Sequence, residues 1–124
     1  MAKLCVVVTF KVKSGASPEA SAGLKKMLIE EFIPAEKEAP GLISIELLER
    51  LRDPIPHYPD NSASDVAFVE FWEDTKSNFD WWAGDILAPK TDRMKKASQK
   101  FMAFMESPDG KYVEFFDNHY TVVE

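Results

Sequence analysis

Few residues in this chain could do chemistry, and the first candidate is Glu70. It lies in the run DVAFVEFWEDTKSNFDWWAGD, Asp65 to Asp85, which also holds all three tryptophans. Val66, Phe68, Glu70 and Trp72 alternate with Ala67, Val69 and Phe71, so a strand here carries large apolar groups on both faces. An ionised carboxylate among them needs a partner or must shift its pKa. That makes Glu70 a candidate site residue, although a glutamate at a wet sheet edge or paired at an interface is the commoner outcome. The second candidate is His119, with Asp117 two residues away on the same strand face. A carboxylate can orient an imidazole for general-base work, yet exposed or interface histidines are more frequent. Asn78 is the third polar side chain that a pocket near the tryptophans would contain. His57-Tyr58 would matter only if its proline-rich loop folds over a cavity.

The same run supplies the apolar half of a site. Asp74 is placed to cap a short helix, and Gly84 lies just beyond it. At helical spacing Phe79, Trp82 and Ala83 share one face, while Asn78 and Trp81 sit about one position round. Two adjacent tryptophans on a short helix cannot both point into one core. One packs and the other lines a cavity or an interface, against the simpler account in which both are core. A pocket between this helix and the sheet would be lined by Phe68, Trp72, Asn78, Trp81 and Trp82.

Other chemistries find no support. No His/Cys/Asp spacing suggests zinc, and neither a glycine-rich phosphate loop nor a Gly-x-Ser-x-Gly motif is present. The net charge of −6 argues against nucleic acid, whose binding depends on clustered positive charge. The single cysteine, Cys5, has no partner for an internal disulfide, which fits a reducing compartment and a buried, inert thiol. The apolar run Leu4 to Val8 is too short for a signal sequence or a membrane span. The expectation is a cytoplasmic protein forming one domain over residues 1–124.

The elements that must position these residues follow in order. Lys3 to Lys13, KLCVVVTFKVK, is a strand with Leu4, Val6, Val8, Phe10 and Val12 on one face and Cys5, Val7 and Thr9 on the other. Ser17-Pro18-Glu19 opens a helix. Its stripe is Leu24, Met27, Leu28, Phe32, Ala35 and Ala39, with Glu36 and the lysines outside it. Pro34 should kink or split that helix, and Pro40-Gly41 ends it. Leu42 to Leu51 is a second strand with Ile43, Ile45 and Leu47 on one face. Arg52 to Ser64, holding Pro54, Pro56 and Pro59, reads as an irregular surface insertion. A helix from Thr91 to Met105 follows the tryptophan segment, with Met94, Ala97, Ser98, Phe101 and Met105 inward. Its lysines (Lys95, Lys96 and Lys100, with Arg93) form a solvated face more readily than an anion site. Lys111 to Val123, KYVEFFDNHYTVV, is a last strand, bent or broken at Asp117-Asn118.

The order β-α-β, β-α-(α)-β is the split βαβ or ferredoxin-like arrangement, an α+β fold with a four-stranded antiparallel sheet and helices on one face. The opposite face is also apolar, so something must cover it. A second copy of the same sheet is the simplest cover, giving a twofold homodimer.

Two stretches carry a family resemblance. FIPAEKEAPGLISIELL, Phe32 to Leu48, and VAFVEFWED, Val66 to Asp74, resemble the antibiotic biosynthesis monooxygenase family of the dimeric α+β barrel superfamily. With the element order, the resemblance covers nearly the whole chain, and its motifs are structural more than catalytic. It implies a cofactor-independent monooxygenase acting on a small aromatic or polyketide-like substrate. A heme-degrading branch of that superfamily uses a helix tryptophan, a histidine ten residues later and an asparagine on the first strand. Trp81 or Trp82 fits the first. Thr91 and Asp92 stand where the histidine would be, and the first strand offers Thr9, so heme is disfavoured. In the anthrone-oxidising branch Trp72 matches a tryptophan of the third strand. Phe68 and Asn78 replace an asparagine and a tyrosine. That chemistry asks little more of a protein than a dry pocket with some polar groups. A non-catalytic binding or structural dimer, in which Trp81 and Trp82 fill the space, is the competing reading, and a heme-binding variant ranks third.

Overall fold

The structure, a computed structural model, describes residues 2–13, 16–51, 53, 56–57, 64–86, 92–107 and 110–123. Strand β1 (Leu4–Val12) leads into helix α1 (Pro18–Met27), which passes through a π-helical turn (Leu28–Phe32) into helix α2 (Ile33–Glu36). Strands β2 (Leu42–Glu49) and β3 (Val66–Trp72) follow. Helix α3 (Thr75–Phe79) then widens into a π-helical stretch (Asp80–Ile86), before helix α4 (Asp92–Glu106) and strand β4 (Val113–Thr121). The sheet order is β2-β3-β1-β4, with every neighbouring pair antiparallel. This is the expected ferredoxin-like α+β arrangement, with helices on one face.

Alternation in the strands sorts the two faces as expected. Leu4, Val6, Val8 and Phe10 of β1 and Val66, Phe68, Glu70 and Trp72 of β3 are buried beneath the helices. They meet Leu24, Leu28, Phe32, Ile33 and Ala35 from the first helical layer, and Ala97 and Phe101 from α4. Asp65 ties the start of β3 to β1: its backbone N–H donates to the Phe10 carbonyl, and its carboxylate accepts from the Val12 N–H at 2.8 Å. The outer face holds Val7 and Val69 opposite one another, with Phe71 and Phe116 more exposed. Cys5 lies there half-buried rather than in the core.

Several expectations need correcting. Ile43 is exposed, because a register shift between Leu42 and Ser44 inserts one residue and turns Leu42 towards the core instead. Glu36 is fully buried. The π turn at Leu28–Phe32 is wider than an α turn and rotates every later position relative to a 3.6-residue stripe. Pro34 falls just after that turn, at the first turn of α2, and the chain stays helical through it. Gly84 does not follow the tryptophan helix but lies inside its π-helical continuation. Finally, β4 runs unbroken through Asp117-Asn118, pairing residue by residue with β1 from Leu4↔Thr121 to Val12↔Val113.

Most of the Arg52–Ser64 insertion lies outside the described residues, as does the side chain of Met94. Among the described residues, no helix is long and apolar enough to cross a membrane.

Candidate active site

A cavity of about 370 Å³ lies between the sheet and the helical layer. Its floor is the helix side of β1 and β3, and Phe32, Trp81 and Phe101 form its walls. Phe32 is the hub of that wall, with ring centroids 5.0 Å from Phe101, 6.0 Å from Phe68 and 6.0 Å edge-on from Trp81. Offset and edge-on contacts of this kind fix ring orientation as well as burying area. Phe79, Trp82 and Phe115 are exposed at the rim, so the mouth opens between the tryptophan helix and β4.

The tryptophan helix owes its position to its first turn. The Asp74 carboxylate accepts from the Ser77 N–H at 2.8 Å, capping α3 directly after β3. Gly41 packs against Ser77 with φ +87°, and a Cβ there would sit 2.3 Å from the Ser77 hydroxyl oxygen. Only glycine allows that approach. The π-helical continuation then turns Trp81 inward, at 3% exposure, and leaves Trp82 at the rim with 38%. Phe79 is exposed and reaches the cavity only at its rim, while Asn78 joins Trp81 among the lining residues.

The polar side chains converge on this space from three elements. Glu70, on β3, is 3% exposed, and its Oε1 accepts from the Trp72 indole N–H at 3.2 Å. Burial pushes its carboxyl up to about 8, and the nearby Asp117 charge adds to this, while the Trp72 hydrogen bond pulls the other way. Burial is the larger effect, so the group holds its proton near neutral pH. Asp117 and His119 stand on β4, linked at 3.0 Å between Oδ1 and Nε2 and partly open to solvent. Val6 pairs with both Glu70 and His119, so those two side chains occupy one row of the sheet with β1 between them. Glu36, at the end of α2, lines the cavity too, and neither of its oxygens has a hydrogen-bond partner among the described residues.

Of the residues expected around a pocket, Phe68, Asn78, Trp81 and Trp82 line this cavity, together with Glu70 and His119. Trp72 does not. It is fully buried and meets the site only through its bond to Glu70. His57 is exposed and is not among the lining residues. Sequence reasoning missed Glu36 altogether, because the stripe from Leu24 to Ala39 assumes one α-helical period and the π turn at Leu28–Phe32 breaks it. Among the described residues, no group of three or more His, Cys, Asp or Glu side chains is arranged to hold a metal ion.

No family model and no curated protein matches this chain. Solved structures do. A dimeric ferredoxin-like protein of unknown function from Bacteroides fragilis superposes with a TM-score of 0.64 at 9% identity, covering 98% of each chain. A candidate antibiotic biosynthesis monooxygenase from Caulobacter crescentus gives 0.60 at 16% identity, covering 99% of this chain and 92% of the other. SnoaB, a cofactor-independent oxygenase from Streptomyces nogalater, gives 0.55 at 14% identity over 100% and 96%. At such identities the likeness shows the fold, and it is the fold that the sequence resemblance implied.

Proposed function

We propose that this protein is a cofactor-independent oxygenase of a small aromatic or polyketide-like substrate, working as a homodimer. The observation that carries the reading is a buried carboxyl, Glu70, raised to about 8 in the floor of a largely apolar, aromatic-rich cavity. A carboxylate whose pKa is raised is a stronger base, and near neutral pH it can both take and return a proton. The cavity also argues against a purely structural role, in which Trp81 and Trp82 would fill this space. The fold shared with SnoaB supports oxygen as co-substrate, and the dimeric ferredoxin-like relative supports the twofold assembly.

The chemistry needs only the substrate's own electrons. The ionised fraction of Glu70 takes a proton from an activated CH₂ flanked by conjugated rings, and the carbanion passes one electron to O₂. The resulting radical and superoxide join as a C–O bond, and a proton completes the hydroperoxide. Loss of the second C–H proton as the O–O bond breaks leaves a ketone and releases water, so CH₂ and O₂ become C=O and H₂O. Asn78 would hydrogen-bond the oxygen on which the carbanion's charge is delocalised. His119 and Asp117 would pass protons to solvent at the rim.

An oxygen electrode tests this with 1,8-dihydroxy-9-anthrone as probe. Uptake of one O₂ per quinone formed, about tenfold or more above the spontaneous rate and reduced ~10²-fold or more in Glu70→Gln, is the expected result. Oxidation no faster than the blank, or unchanged in Glu70→Gln, overturns it.

A further inference from the structure

Glu36 is the group that the proposed oxygenation does not use. It is completely buried, it lines the cavity, and both of its oxygens lack a partner among the described residues. A carboxyl in that state either carries its proton at the expense of unmade hydrogen bonds or takes donors from a ligand. The other charged or titratable groups that line the cavity are Glu70, Asp117 and His119, and no lysine or arginine joins them among the described residues. These acidic groups, together with the rings of Phe32, Trp81 and Phe101, form a setting that repels carboxylates. It favours a cation, through ion pairing and through the negative faces of the rings.

We infer that the cavity takes an aromatic ligand bearing a protonated amine, with the ammonium group received by Glu36 and the ring stacked within the Phe32–Trp81–Phe101 wall. An ammonium offers three donors and a charge, so it discharges the unpaired carboxyl more completely than a single hydroxyl does. The inference shares its cavity with the proposed oxygenase and narrows that enzyme's substrate, but it stands on binding alone.

Isothermal titration of the purified protein at neutral pH with three probes of one shape tests it. These are 2-(1-naphthyl)ethylamine as the cation, 2-(1-naphthyl)ethanol as the neutral analogue and 1-naphthylacetate as the anion. The expected order is amine about tenfold or more tighter than alcohol, with no measurable binding of the acetate. In Glu36→Gln the amine's advantage should fall to threefold or less while the alcohol binds as before. Should that variant fail to fold, the wild-type ranking still decides. Equal or tighter binding of the alcohol, binding of the acetate, or no binding of any probe overturns the inference. The two readings fail separately: amine selectivity without oxygen uptake on any ring substrate would sink the oxygenase and leave this site. Oxygen uptake on a neutral anthrone without amine selectivity would do the reverse.

Discussion

The indole N–H of Trp72 donates to Oε1 of Glu70 across 3.2 Å, between two buried residues on the same face of β3. The tryptophan therefore acts on the cavity from beneath it, as a counterweight to the burial that raises Glu70 to about 8. Strand geometry makes the contact possible, because residues two apart lie on one face about 7 Å along the strand and a long side chain can lean across that gap.

That raised pKa has a signature in stability. The unfolded chain releases the Glu70 proton near its ordinary value of 4.5, whereas the folded protein keeps it to about 8. Between those values the native state binds more protons than the unfolded one, so stability must fall as pH rises through this window and level off above it. Urea unfolding midpoints taken from pH 4.5 to 9 should show that decline, amounting to a few kcal/mol at most. Glu70→Gln should flatten the decline and be the more stable protein at pH 9. A wild-type profile that rises over this range would contradict the assignment.

Glu36 should be a liability to the empty protein. Replacing a buried carboxyl whose oxygens are unpartnered with an apolar side chain of similar length removes a desolvation cost of about 1–3 kcal/mol. Glu36→Met is expected to raise the melting temperature by several degrees. A lower melting temperature would mean that the carboxyl is satisfied in solution by a group that binds it tightly.

How much of this was legible in the sequence follows from which periods are rigid. The two-residue period of a strand has no slack, so Val6 and Phe10, and likewise Val66 and Phe68, could be grouped on one face by alternation alone, and the split βαβ order came with them. The helical period does slip. The wide turn at Leu28–Phe32 shifts the inward face, which is why Glu36 points where a 3.6-residue stripe does not put it, whereas Asn78 and Trp81, three residues apart, stay together at the cavity. The strand error at Ile43 has the same kind of origin, in a single inserted residue. Glu70 was legible as an oddity among apolar neighbours. Its link to Trp72 and its shared row with His119 were not, because both depend on side-chain lean and strand pairing.

The adjacent tryptophans should separate cleanly on mutation. Trp81 is 3% exposed and packs edge-on against Phe32, so Trp81→Ala is expected to cost about 3–5 kcal/mol of stability. Trp82, at 38% exposure on the rim, should cost about 1 kcal/mol or less, yet its loss should weaken any ligand that the mouth closes over. Chemical denaturation of the two variants, compared with their affinities for a naphthyl probe, checks both halves. Equal losses of stability would mean that the helix sits in a different register.

The outer sheet face supplies the last test. Val7 and Val69 face one another at its centre, Phe71 is 37% exposed and Phe116 is 50% exposed, and among the described residues no helix covers them. A contiguous apolar surface of this kind on a lone chain invites association. A twofold pairing of two such faces is self-complementary, since each residue meets the same patch on its partner. Sedimentation of the wild type should therefore give twice the mass of the chain. Phe71→Lys, which places two ammonium groups in or near the buried seam of every dimer, should shift the equilibrium towards monomer by tenfold or more, an effect of about 1.4 kcal/mol at the least. Because the cavity lies on the opposite side of the sheet, that variant should keep its probe binding unless the second chain also shapes the mouth. A monomeric wild type would overturn the dimer, and a dimer untouched by Phe71→Lys would move its seam to another surface.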